Sequence, residues 1–511
     1  MTLQERQYTL PAMGELRLVA STAVHVPTVV TLQPLAEDGG EQPRADVFGT
    51  ELSPGVAVRL PAGRFCGVFS PTGCTLIVSA PSSVHQSCYG TTCGATWARS
   101  IADINTHLEV QRVKARRSGV EGLGPRALFV SDRRVAGTST YIRMLTNYAV
   151  RLGYHPLLLD AAVDAPRFGY PGHVSLYAVQ HTVDIEEEMC FVPSLHAHQG
   201  VGKHEDPSLF MHVMRGLMQL ATERMARSDR CRVGGIFLDY GIIPRTLVEE
   251  AETWECSEAR LEERSRTNPL DVLVDTIIEA DIDHVFVVGS AWLRFKVAQR
   301  LQQRLGAPPA VSWTTPSTVF CNGGLKVQLA LVDALQCGAV AEDAFFKRQC
   351  WLHYFFGTRT SAVKPTLLTL ELSLVRLVQI GRGDSHFMST FMPMEDDSED
   401  QSSPKTQRGI SLTYLHPQDF DLTDRILAIS SATEQEELHD GTLQRIPFAV
   451  FESRLRRGLV MGFALVESIS PTKMTILTNA AGIRKEKGLC FILTEERLPT
   501  QPSTDRTGAL I

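Results

Sequence analysis

Nothing along the 511-residue chain approaches the roughly 20 consecutive apolar residues that cross a bilayer, which argues against a helical membrane protein. Residues Met1 to Val30 also lack a signal-peptide core, because Glu5, Arg6, Glu15 and Arg17 interrupt the apolar stretches, so no secretory leader is expected. Positive charge is not in excess. Fifty Lys and Arg face 57 Asp and Glu, giving a formal charge of −7, so the whole-molecule field would not gather phosphates and any nucleic-acid surface must be local. Cysteine is thinly spread: of 11, the nearest pair is Cys88 and Cys93, with no second pair to complete a metal site. Reduced thiols in a nucleocytoplasmic compartment fit this pattern better than a secreted disulfide scaffold. There is no internal repeat and no long low-complexity tract.

What is present describes an ordinary soluble protein: 43% hydrophobic and 21% charged residues, with mean hydropathy of −0.04. The length exceeds one core and favours roughly two to four domains. Short apolar segments broken by Gly, Pro and Ser (Glu15–Val19, Ala45–Phe48, Val56–Leu60, Phe65–Phe69, Cys74–Val78) predict an all-β N-terminal region. A helix over Asp103–Arg117 follows, ending in Arg112, Lys114, Arg116 and Arg117, and residues 118–125 read as a glycine-rich linker.

From Arg126 the pattern alternates. Strands are expected at Ala127–Val130, Leu157–Leu159, Gly235–Leu238 and Val285–Val288, with helices at Tyr141–Leu152, Leu209–Met225, Leu270–Ile278 and Leu293–Leu305. Apolar strands joined by long crossovers imply a mainly parallel sheet covered by helices. A helix over Ala341–Phe355 closes this unit. Strands return at Leu367–Leu372, Leu374–Val378 and Met461–Val466, around an acidic loop near 395–406 that reads as a solvated insertion. The expected division is 1–117, linker 118–125, 126–357 and 358–511.

The most telling segment is Ala127-Leu128-Phe129-Val130, then Ser131 to Thr140, then the amphipathic run Tyr141–Leu152. Strand, turn and helix stand in the order of a phosphate-binding loop, G-x-x-x-x-G-K-[ST], in which backbone N–H groups wrap phosphates, a lysine reaches them and a hydroxyl holds magnesium. Here Asp132 occupies the first glycine position and Thr138 the lysine position. Gly137, Ser139 and Thr140 survive, although Ser and Thr at a helix start are also ordinary caps. Arg133 and Arg134 read as solvated charges or phosphate contacts, and a helix N-terminus attracts an anion without a lysine. Asp239, ending Gly235-Ile236-Phe237-Leu238, could hold magnesium through water. Asp160 and Asp164 are further candidates on that rim, and the plainer reading has all three ending strands or sitting in turns. The nucleotide-contact set is thus Asp132, Gly137, Thr138, Ser139, Thr140 and Asp239, with no catalytic residue and no resident metal assigned. ATP and magnesium are admitted only as weak ligands. His196, His198 and His204, with Lys203 and Glu205, are expected in a solvent-facing loop, since no compact partner set fixes a metal geometry.

These segments resemble the polynucleotide 5'-hydroxyl kinases of the Clp and Grc type, and most closely the Clp-type subunit of pre-mRNA cleavage and polyadenylation. The resemblance rests on Val47-Phe48-Gly49-Thr50-Glu51-Leu52, Gly73-Cys74, Asn105-Thr106-His107, Asn147-Tyr148-Ala149-Val150-Arg151-Leu152-Gly153, Tyr354-Phe355-Phe356-Gly357 and Gly462-Phe463-Ala464. It implies an N-terminal β-sandwich, a central P-loop NTPase-like α/β domain and a small C-terminal α+β domain. It also places the family's lysine on Thr138, its first glycine on Asp132, and its L-D-x-x-Q aspartate and glutamine on Ala162 and Ala165, unless a two-residue gap supplies Asp160. The threonine-proline segment falls near Val201–His204, where neither residue type occurs. The resemblance therefore implies a nuclear pseudoenzyme that serves as a platform, with a Pcf-type scaffold and other cleavage factors as partners. Pre-mRNA is a further partner, reached directly or through other subunits. An active kinase with displaced groups and a module that holds ATP without hydrolysing it stand as the alternatives. Arg112, Lys114, Arg116 and Arg117 are the candidate RNA surface, against a helix end whose cations complement its dipole.

Overall fold

The computed structural model describes residues 3–21, 26–34, 42–91, 94–134, 136–186, 194–256, 267–306, 317–322, 325–335, 343–358, 362–381, 411–437, 443–480 and 489–498. At the N-terminus two antiparallel sheets face each other. One has four strands in the order Leu3–Leu10, Cys74–Pro81, Val29–Leu32, Ala57–Arg59; the other has five, Thr50–Glu51, Asp46–Val47, Phe65–Ser70, Gly14–Val19, Tyr89–Thr91. Alternation along each strand sends Leu16, Leu18, Val30, Val68, Leu76 and Val78 into one shared core. Glu15 is buried yet paired: its Oε2 accepts from Arg17 Nε at 2.9 Å and from Trp97 Nε1 at 3.0 Å. That carboxylate ties the sandwich to the next helix.

The helix spans Gly94–Arg117, starting nine residues before the expected Asp103. Its early turns bury Trp97, Ile101 and Ile104 against the central domain, where tertiary packing overrides a weakly apolar pattern. The following segment, read from its glycines as a linker, is docked. Arg232 Nη1 donates to the carbonyls of Gly119 and Gly122, and a Cβ on Gly124 would lie 2.1 Å from Val233 O.

Five parallel strands form the centre, in the order Leu325–Val332, His284–Val288, Arg126–Ser131, Ile236–Ile242, Leu157–Asp160. Antiparallel Ser317–Asn322 lies on one edge, and His173–Ala178 and Ser194–His198 lie on the other. Helices Thr138–Arg151, Pro207–Arg227, Pro269–Glu279 and Ala291–Leu305 match the expected positions within a few residues. The strands His173–Ala178 and Ser194–His198 are additions that the apolar pattern did not reveal. They extend the sheet into the C-terminal part, where Ser194–His198 pairs with Leu459–Ile469 at His196↔Val460 and Ala197↔Leu459. Beyond that seam Arg425–Ser430, Leu489–Arg497, Val375–Gly381 and Ser411–Leu415 continue the sheet, and the helix Phe448–Arg456 makes this region α+β. The acidic loop near 395–406 lies outside the described residues.

The landmark Tyr354-Phe355-Phe356-Gly357 ends helix Asp343–Phe356 and locks the seam. Tyr354 Oη accepts from Phe463 N at 2.8 Å, Asn479 Nδ2 donates to the Phe355 carbonyl at 2.9 Å, Tyr170 stacks on Trp351, and the Phe463 ring packs at an angle against both.

Candidate nucleotide site and its acidic rim

Two of the sequence landmarks prove to be the two halves of one contact. Asn147 Nδ2 donates to the Phe48 carbonyl at 2.9 Å and to Thr50 Oγ1 at 3.1 Å, while its Oδ1 accepts from Val183 N at 2.8 Å. Gly49 turns here with φ of 82°, and a Cβ would press on the Met144 carbonyl and the Tyr148 ring at 3.2 Å. The sandwich is thereby held against the helix Thr138–Arg151, whose N-terminus is the candidate site.

At that N-terminus Gly137 is left-handed at φ 91°, as a loop entering a helix requires. Leu335 packs on it: a Cβ there would be 2.8 Å from Leu335 Cδ1, and Leu335 N donates to the Ala136 carbonyl at 3.0 Å. Thr138 is buried, and Ser139 Oγ donates to Asp239 Oδ2 at 2.6 Å. Asp132 turns to a neighbouring helix, where its Oδ2 accepts from Ser290 Oγ at 2.6 Å. Ser290 in turn caps Ala291–Leu305 by accepting from Leu293 N at 3.1 Å. Gly137, Thr138, Ser139 and Thr140 line one pocket of about 100 Å³ with Arg64, Arg134, Arg143 and Arg167 and the rings of Phe48, Phe65 and Phe168. Asp239 meets this group only through Ser139, and Asp132 is not among the lining residues. Sequence reasoning missed Arg64, Arg143 and Arg167 because they come from a sandwich turn, a helix face and a loop far apart in the chain.

Behind the loop lies the acidic rim. Asp160 and Asp239 pair in register on adjacent parallel strands, both fully buried. Asp160 organises a turn, its Oδ1 accepting from Ala162 N at 3.0 Å and its Oδ2 from Arg167, Phe168 and Gly169 N at 3.1, 2.9 and 3.0 Å. Burial raises its pKa, and those four N–H groups pull it back. Asp239 is pushed up to about 7 by burial and by the Asp160 charge, against the bonds from Ser139 and Gly241 N. Its strand does not end there: it continues through a bulge to Ile242. Asp164 is exposed at the lip.

The expected solvent-facing histidine loop is corrected. His196 and His198 sit on a buried strand beside His173, and only Glu205 of that group is exposed. Burial pushes His173 down to about 4 and His196 and His204 to about 3. Lys203, placed in the same loop, is also buried and is pushed down to about 8 by burial, with Asp164, Asp239 and Asp160 acting against that shift. Polarity misled here: these side chains are enclosed by the two extra antiparallel strands and the segment between Ser194–His198 and Pro207–Arg227.

The basic helix end is corrected too. Arg112 is fully buried, bonded to the Gly234 carbonyl at 3.3 Å and stacked on the Tyr154 and Phe237 rings. It cannot join a phosphate surface, whereas Lys114, Arg116 and Arg117 are exposed.

Comparison with known proteins adds two family models that follow each other along the chain. The N-terminal beta-sandwich domain of polyadenylation factor matches residues 10–115, and the P-loop of mRNA cleavage and polyadenylation factor CLP1 matches residues 134–243. Over these two stretches the chain is similar to the Clp1 family. Among relatives, mRNA cleavage and polyadenylation factor clp1 of Botryotinia fuckeliana is 24% identical over 84% of this chain and 82% of its own. The polyribonucleotide 5'-hydroxyl-kinase Clp1 of Danio rerio is 27% identical over 38% of this chain, a stretch that spans 42% of that relative. The fold is shared with the wild-type Clp1p–Pcf11p complex structure at a TM-score of 0.68, covering 98% of this chain and 99% of the other at 15% identity. Within the Clp1 fold, the Phe48–Leu52 and Asn147–Gly153 landmarks are thus contact residues between sandwich and P-loop domain, and a packing requirement accounts for both.

Proposed function

We propose that this chain is a non-catalytic structural subunit of the nuclear machinery that cleaves and polyadenylates mRNA 3' ends. The observation that carries the reading is the nucleotide loop: Thr138 stands where a phosphate lysine belongs, and Leu335 closes over Gly137. A nucleotide complex needs both features in other states: a cation reaching the phosphates, and open backbone N–H groups. The residues present do not fit that complex. Ala162, at the position matching the family's aspartate, offers no base for an RNA hydroxyl.

What remains is a platform. Relatives are named as cleavage and polyadenylation factors, and one solved relative is in complex with Pcf11p, which supports a Pcf-type scaffold as partner. A second structure, with a TM-score of 0.66, is described as giving the structural basis for ATP loss in a glycine-to-arginine point mutant, a precedent for this fold without its nucleotide. Affinity purification of the tagged protein is expected to recover cleavage and polyadenylation factors, and recovery of none from an extract with the complex intact refutes the role.

The arginine-lined pocket favours one second reading, a phosphate-bearing ligand held without turnover. Arg64, Arg134, Arg143 and Arg167 surround a helix N-terminus, where backbone N–H groups and the dipole favour an anion. Calorimetry with ATP and magnesium is expected to show weak binding, since each lost charge-assisted bond removes roughly 1.5–3 kcal/mol. Micromolar or tighter affinity would support the nucleotide-holding module instead.

A further inference from the structure

Positive charge in this acidic chain is gathered at one face. Residues 109–121 and 223–232 carry Arg112, Lys114, Arg116, Arg117, Arg224, Arg227, Arg230 and Arg232 against Glu109, Glu121, Glu223 and Asp229, a net charge of +4 in a chain whose total is −7. The first stretch ends helix Gly94–Arg117; the second ends Pro207–Arg227 and opens the short helix Asp229–Gly234. The fold brings them together. Arg112 Nε donates to the Gly234 carbonyl at 3.3 Å, and Arg232 Nη1 reaches the carbonyls of Gly119 and Gly122. Tyr154 and His155 bridge the rest: the Arg116 guanidinium lies 5.1 Å from the Tyr154 ring centroid, and His155 N donates to the Arg230 carbonyl at 3.1 Å. Burial, with the charges of Arg230, His181 and Arg224, holds His155 below its ordinary value, as expected where those cations face one volume.

Two of the eight cations are structural, since Arg112 and Arg232 are buried. The other six, Lys114, Arg116, Arg117, Arg224, Arg227 and Arg230, are exposed, and among the described residues none has a carboxylate within ion-pair distance. Exposed arginines elsewhere on the same domain are paired: Arg215 with Glu279 at 3.0 Å, Arg245 with Glu249 at 2.7 Å, and Arg304 with Asp275. Two nearby acids are already taken, Asp229 by Arg232 at 2.8 Å and Glu109 by Arg112 at 3.3 Å and by the Tyr154 hydroxyl at 2.6 Å. Helix dipoles account for little of the excess. Each helix C-terminus carries about half a negative charge, so the ends of Gly94–Arg117 and Pro207–Arg227 together offset about one of the six cations.

The face is remote from the nucleotide loop. Gly124 N donates to the Arg232 carbonyl at 2.9 Å and Ile236 N to the Pro125 carbonyl at 2.8 Å, which fixes both stretches at the start of strands Arg126–Ser131 and Ile236–Ile242. The loop leaves the far end of Arg126–Ser131, roughly 17 Å away at about 3.3 Å per residue. We propose that this face binds the phosphate backbone of a nucleic acid, at a site separate from the nucleotide loop, and holds the strand without reacting on it. Five of the six exposed cations are arginines, whose planar forks take phosphate oxygens two at a time. Contacts to phosphate carry no sequence information, so binding is sequence-independent and steeply salt-sensitive. Naming RNA as the strand rests on the proposed function; the site itself does not.

The test follows fluorescence anisotropy of a short labelled oligouridylate with a 5'-phosphate, titrated with the full-length protein at several salt concentrations. The 5'-phosphate removes the hydroxyl that a kinase site would take. Wild type is expected to bind with an affinity that falls steeply as salt rises. Arg224→Gln with Arg227→Gln and Arg230→Gln is expected to bind at least about tenfold more weakly. Its plot of log affinity against log salt should flatten by about 2, since each lost phosphate contact removes about 0.7 from the slope. Lys114→Gln with Arg116→Gln and Arg117→Gln should do the same from the other helix, and decides the matter if the first variant does not fold. Arg215→Gln with Arg245→Gln and Arg304→Gln removes the same charge elsewhere and is expected to bind within about twofold of wild type, because distant exposed charges are screened. No binding by wild type, undiminished binding by the face variants, or an equal loss in the control overturns the proposal. Polyglutamate that binds these residues more tightly than the RNA also overturns it, and assigns the face to an acidic protein segment. Copurification with cleavage factors reads a different property, so failure of the proposed function and failure of this binding are distinguishable.

Discussion

Acidification from pH 7 to pH 5 should destabilise this protein through the histidines at the seam between its central and C-terminal sheets. His173 donates from Nδ1 to the Pro171 carbonyl at 2.8 Å, His196 bonds the hydroxyls of Ser175 and Ser194, and Phe463 lies against both rings. Burial holds His173 near 4 and His196 and His204 near 3, and it holds His198 well below the ordinary value. Unfolding frees each to bind a proton near 6.5, so the unfolded state carries more protons and stability falls as pH drops. Between pH 6.5 and 5 each such histidine costs about 2 kcal/mol. Asp239 acts in the opposite sense. Its folded pKa of about 7 exceeds the unfolded value, so it binds a proton on folding and contributes stability that is present at low pH and lost as pH rises toward 7. With Asp46, which burial also raises, to about 6, the two carboxylates return about 4 kcal/mol on going to pH 5 against about 8 kcal/mol for the four histidines, leaving a net loss of about 4 kcal/mol, a large share of a typical domain's stability. Urea unfolding at both pH values measures it. His173→Gln should be less stable than wild type at pH 7 but should lose about 2 kcal/mol less on acidification. A variant that loses as much as the wild type, or a wild type that is no less stable at pH 5, would refute the burial argument.

Asn147→Ala should cost about 3–5 kcal/mol, because it orphans the Phe48 carbonyl and Val183 N at the sandwich contact, and limited proteolysis should then cut between the two domains. Reversing the charge of Lys114, Arg116 and Arg117 should weaken RNA crosslinking without unfolding the protein, while Arg112→Glu should unfold it, because that guanidinium is buried on Tyr154 and Phe237. Equal crosslinking after the triple reversal removes this surface. Arg64→Ala with Arg167→Ala should weaken pyrophosphate binding at low salt by about one to two decades, measured by calorimetry, if the pocket between sandwich and helix takes a phosphate.

Much of the fold was legible because apolar periodicity is local. Arg126–Ser131, Leu157–Asp160 and His284–Val288 are short buried runs, and Thr138–Arg151 is a plain amphipathic helix. The strands His173–Ala178 and Ser194–His198 were not, since histidines and serines fill positions that a sheet buries by pairing their polar atoms with each other. The candidate site was legible on the loop itself, where Gly137, Thr138, Ser139 and Thr140 gather as their sequence order implies. It was illegible where partners come from afar. Ser290 taking Asp132, Leu335 closing on Gly137 and Lys203 entering the rim are long-range facts, and a buried lysine reads in sequence like any solvated one.

Incubation of the purified protein with labelled ATP, magnesium and a 5'-hydroxyl RNA tests the central claim most directly. No transfer of label above a protein-free control is the expected result, because Thr138 supplies no phosphate lysine and Ala162 no base. Robust transfer that Asp239→Asn, Asp160→Ala or Asp164→Ala abolishes would contradict it and make the chain an active kinase.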